Sequence, residues 1–78
     1  MTTPANPATA AQVLDTYFLE TRARLLEIAA NLDRADRAPG SAALQHDPRT
    51  AFIQKSLHIL LTNTADRAEQ IQRLYSKD

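Results

Sequence analysis

The sequence predicts an all-α protein, an antiparallel two-helix hairpin that dimerises into a four-helix bundle. Three observations predict it. Between Ala8 and Ala38, and again from Arg49 to Asp78, the chain contains neither Gly nor Pro. Each of these stretches carries a mainly apolar seam at spacings of three and four, strictly alternating in the first, as a helical seam requires. Nothing alternates with period two over a useful length, so no strand is expected.

Residues 1–6 are Met, Thr, Pro, Ala and Asn without pattern, and a disordered tail is expected there. Helix 1 is expected over 7–38. Asn6 can cap it while Pro7 occupies the first helical position, with Thr9 as the alternative cap. Its body is rich in Ala, Leu, Arg and Glu, all good helix formers. Ala38-Pro39-Gly40 stops it. Residues 39–47 form a loop, longer than most helix–helix connections. Asp47 is then an N-cap and Pro48 a first helical residue, so helix 2 is expected without interruption over 48–76. The two helices, each about 28–31 residues and roughly 45 Å long, make one domain spanning 7–78.

The seam of helix 1 is Leu14, Phe18, Thr21, Leu25, Ile28, Leu32 and Ala35. That of helix 2 is Ile53, Leu57, Leu61, Thr64, Ala68, Ile71 and Tyr75. In an antiparallel hairpin, positions whose numbers sum to about 89 lie opposite one another, and the seams then match layer by layer. Leu14 meets Tyr75, Phe18 meets Ile71, Thr21 meets Ala68, Leu25 meets Thr64, Ile28 meets Leu61 and Leu32 meets Leu57. Tyr17, Phe18 and Tyr75 are expected to gather at the open end.

A hairpin leaves apolar surface over. Leu19, Ala23, Leu26 and Ala30 make a second stripe on helix 1, and Phe52 and Ile59 a side patch on helix 2. A helix in a two-helix unit needs one apolar face of somewhat over 100°, and helix 1 exceeds that. Leaving Leu19, Leu26, Phe52 and Ile59 exposed forgoes about 1.5–3 kcal/mol each at full burial. The surplus predicts an interface, with a second copy or with another protein. Arg22 and Arg67 border the stripes, and Arg is favoured at interface anchors and rims. The expected contact set is therefore Leu19, Arg22, Ala23, Leu26, Ala30, Phe52, Ile59 and Arg67.

Composition limits the function classes. A short chain usually needs disulfides, a metal or a second subunit to be stable, and this one has no Cys. Nine basic residues balance nine acidic ones, seven of the basic being Arg. No basic field for nucleic acid is present. No apolar run approaches the roughly 20 residues that span a bilayer, and the N-terminus lacks the charged and apolar regions of a secretory signal. A cytoplasmic protein is expected.

No motif for chemistry stands out. Ala-Asp-Arg-Ala occurs at 35–38 and 65–68, but one copy ends helix 1 and the other lies inside helix 2, so they are not equivalent units. Asp33 and Arg37 are spaced to pair along the helix. Asp36 is placed to receive the first amides of helix 2 or to pair with Arg49. A carboxylate-bridged metal centre needs Glu-x-x-His pairs, which are absent. Glu20 and Glu27 share an outer polar face with Arg24 between them. His46 and His58 lack a second ligand at helical spacing. Ser41, Ser56 and Ser76 have no nucleophile context. No catalytic, cofactor or metal residue is assigned. The function expected is that of a non-enzymatic, homodimeric adaptor or accessory subunit acting through protein–protein contact. The alternative is a bundle binding a small molecule or metal at a site formed between subunits.

Overall fold

Thr9 opens the first helix with a reciprocal cap. Gln12 N–H donates to Thr9 Oγ1 at 3.2 Å, and Thr9 N–H donates to Gln12 Oε1 at 2.9 Å, satisfying two amides the helix itself cannot. In this computed structural model, which describes residues 8–76, α1 runs Ala10–Arg37. The tail expected over 1–6 and the helix start expected at Pro7 lie outside the described residues. The last turn carries Arg34 and Arg37, cations suited to the negative end of the helix dipole. Ala38 turns extended (φ −81°, ψ 155°) ahead of Pro39, as a residue before proline must. Gly40 then takes φ 85°, open to glycine and strained for other residues.

The segment 39–47, expected as an irregular loop, contains a 3₁₀ helix over Ser41–His46. Six residues with good local propensity but no long amphipathic pattern suit this tighter turn. Asp47 follows as N-cap, receiving Arg49 N–H at 2.8 Å, and Pro48 begins α2, Pro48–Leu61.

The uninterrupted helix expected over 48–76 does not occur. The chain leaves the helix at Thr62 and re-enters it as α3, Arg67–Ser76. The physical reason lies in Thr62-Asn63-Thr64-Ala65-Asp66. Thr, Asn and Asp side chains compete for backbone groups and favour caps. Thr62 N–H and Thr62 Oγ1 both donate to Ile59 O, at 3.0 and 2.6 Å. Arg67 Nε donates to Thr62 O at 2.8 Å. Gln70 Nε2 donates to Asp66 Oδ1 at 2.7 Å and to Thr64 Oγ1 at 3.1 Å. The Gln70 amide holds the Asp66 carboxyl below the usual carboxylate range. These bonds replace a helical ladder whose propensity cost through Thr and Asn is at most roughly 0.7 kcal/mol per residue.

Among the described residues the regular structure is wholly helical, with no strand, and no helix is long and apolar enough to cross a membrane. The chain divides into two units, one ending at Ala38 and one beginning at Pro39. In the second, α3 packs against α2 and the 3₁₀ helix also touches α2. Arg67, Gln70, Ile71 and Leu74 are the half-buried side of α3, spaced as one helical stripe. On α2 the half-buried side includes Phe52, Ile53, Ser56, Leu57 and Ile59. Ser56 Oγ donates to Phe52 O at 2.8 Å, so its hydroxyl is satisfied there. No described residue of either unit is fully buried.

Asp47 gives this start of α2 a pH dependence. Its carboxyl accepts from the Arg49 guanidinium (2.7 and 3.0 Å) and from Arg49 N–H, which lowers its pKa to about 2. A depressed folded-state value contributes stability above the unfolded value near 3.8 and loses it as pH falls towards about 2. Amide protection at residues 49–51 is therefore expected to decline between about pH 4 and 2. Asp47→Asn keeps a capping side chain and should flatten that profile. NMR-detected hydrogen exchange across the pH range reads it.

Candidate interaction surface

The surface of α1 is decided by which side chains the helix satisfies internally. On its polar side Arg24 pairs with Glu20 at 2.7 Å, which raises the Arg24 pKa. Arg34 Nη1 donates to Asn31 Oδ1 at 2.7 Å, and Thr16 Oγ1 donates to Gln12 O at 3.0 Å. Thr21, in the apolar seam, turns its hydroxyl inward to Tyr17 O at 2.8 Å. A hydroxyl back-bonded in this way leaves only its methyl for a partner, so the residue behaves as a small apolar group in the seam. The expected Asp33–Arg37 ion pair is absent among the described residues.

The apolar side of α1 has no such provision. Leu14 is 62% exposed, Leu19 76% and Leu26 53%, and Phe18, Leu25 and Ile28 are also exposed. Arg22 and Ala23 are exposed and Ala30 is half-buried. From Leu14 to Ile28 both stripes read from the sequence thus lie open, while Ala30, Leu32 and Ala35 are half-buried.

The second unit treats its expected contact residues differently. Phe52, Ile59 and Arg67 are all half-buried. The Phe52 ring meets Tyr75 edge-on, with centroids 5.7 Å apart and planes at 65°, a favourable aromatic geometry. Tyr75, expected beside Tyr17 and Phe18, has this neighbour because α3 folds back along α2. The helix break also occupies Arg67, through Thr62 O. Sequence reasoning missed both roles, since each depends on a turn with no Gly or Pro to announce it. Asp47 takes the two roles expected of Asp36, receiving an α2 amide and pairing with Arg49.

An open depression of about 390 Å³ is lined by Ala51, Gln54, Lys55, Leu57, His58 and Leu61, all on α2. One helix face cannot enclose a ligand as binding pockets do. Among the described residues no three His, Asp or Glu side chains gather in a way that could hold a metal. Compared with protein-family models, characterised proteins and solved structures, the chain matches none.

Proposed function

We propose that this chain is a non-enzymatic helical protein that works through protein–protein contact, as a homodimer serving as adaptor or accessory subunit. The observation that carries this reading is the open apolar surface of α1, with Leu14, Leu19, Leu25 and Leu26 all exposed. Helices in water owe most of their stability to packing of an apolar face. One exposed ion pair along 28 residues is no substitute, since such pairs contribute only about 0–1 kcal/mol.

A second copy is the partner we favour. The formal charge is zero, so two copies meet without net repulsion. The seams of helix 1 and of residues 53–75 match layer by layer when their numbers sum to about 89. In the proposed assembly each copy is an antiparallel hairpin. Two hairpins pack as a four-helix bundle through Leu19, Ala23, Leu26 and Ala30, with Phe52, Ile59 and the rim residues Arg22 and Arg67. Light scattering on the eluting peak tests this. The expected mass at micromolar concentration is twice the 8.6 kDa of one chain. A folded species of single-chain mass throughout would overturn it.

A further inference from the structure

We propose that the break between α2 and α3 is a hinge: closed in the single chain, it opens on dimerisation into one continuous helix over 48–76. This rests on the homodimer reading above.

The register of the apolar seam points to the open form. Leu57, Leu61, Thr64, Ala68, Ile71 and Tyr75 keep alternating spacings of four and three straight through the break. Such spacing places residues on one face only where the intervening chain is helical. The closed form uses it only in part: Leu57 and Ile71 are half-buried, while Leu61 is 85% exposed and Tyr75 81%.

Nothing in the break forbids a helix. Residues 62–66 contain no Gly or Pro, and no residue there has positive φ. The turn is held by hydrogen bonds among exposed or half-buried side chains, chiefly Thr62, Thr64, Asp66 and Gln70, for which water can substitute. Closure also occupies dimer residues. Phe52 is held by Tyr75 and Arg67 by Thr62 O. Opening releases both at once, so closure acts as a self-masking contact against premature pairing.

Length agrees. A straight helix over 48–76 has 29 residues against 28 in α1, which lets every layer of the matched seams form. In the hairpin proposed above, α1 of the same chain is the complement of that seam; a second copy is the occupant of the face beside it, where opening frees Phe52 and Arg67.

Asn63→Pro separates the two forms. Thr62 already has the extended backbone (φ −78°, ψ 157°) that precedes proline. No hydrogen bond from Asn63 N–H occurs among the described residues. The closed form should therefore accept the substitution. A continuous helix loses a backbone bond and meets a steric clash, weakening dimerisation by about a hundredfold or more. Asn63→Ala, which favours helix, should dimerise at least as tightly as the wild type. Because the chain has no Cys, spin labels at Ala51→Cys and Ser76→Cys report opening directly, in labelled chains diluted with unlabelled ones. The distance should be short at low concentration and about 37 Å in the dimer. Equal dimerisation of the Pro variant and wild type, or a short distance within the dimer, overturns the hinge and leaves the homodimer standing. A wild type monomeric at every concentration overturns both. A distance that lengthens only with another protein present overturns the second copy as the occupant.

Discussion

Leu19→Glu combined with Leu26→Glu is expected to weaken self-association by about 10²- to 10⁴-fold while α1 stays helical. The two residues lie seven apart on the second stripe, and both are open in the single chain. Each contributes about 1.5–3 kcal/mol at full burial. In a two-fold dimer every substitution counts twice, so burial to half that depth already spans about 3–6 kcal/mol. Introducing carboxylates adds the cost of burying charge. Glu is itself a good helix former, so lost association cannot be put down to lost propensity. Thr16→Glu, on the polar side, is the control and should leave the dimer unchanged. Sedimentation equilibrium reads all three proteins. An unchanged association constant in the double variant would show that the second stripe is not the contact surface.

Phe52→Ala is expected to release α3 from α2 in the single chain. The ring is half-buried and makes the aromatic contact with Tyr75. Full truncation of a buried Phe costs 3–5 kcal/mol. With half of that burial present, about 2 kcal/mol is expected, including loss of the edge-on pair. Hydrogen exchange at low concentration should show protection of the α3 amides falling by about 10- to 50-fold. Protection of α1 amides, in the other unit, should not change. If α3 exchange is unaffected, the fold-back rests on the hydrogen bonds of residues 62–70 and the rings contribute little.

The wholly helical class was legible because Gly and Pro are confined to the ends of the helical stretches and the apolar spacing is that of a helix. The start of α2 was equally legible, since Asp47 and Pro48 each have one strong positional preference and the two agree. The end of α2 was hidden for the opposite reason. Thr62, Asn63, Thr64 and Asp66 tolerate a helix and also favour a cap, and the apolar spacing continues across them. Thr62's own bonds to Ile59 O and the side-chain bonds of Arg67 and Gln70 across the turn favour the break, and apolar spacing does not announce them. The same turn explains why Tyr75 lies against Phe52 and why Arg67 has a partner within its own unit. On α1 the surface stripes were readable because a single helix places its side chains by spacing alone. The Asp33–Arg37 pair shows where that stops: the same spacing of four carries the exposed pairs Glu20–Arg24 and Glu69–Arg73 and leaves Asp33 and Arg37 apart, so spacing permits such a contact without fixing it.

The most direct test of the central claim is isotope-filtered NMR on a mixture of ¹³C-labelled and unlabelled chains, observing the Leu19 and Leu26 methyl groups. Intermolecular cross-peaks from both methyl sets to the unlabelled chain are predicted at concentrations where the mass is doubled. Methyl groups that show contacts only within their own chain, in a well-ordered species of single-chain mass, would contradict it.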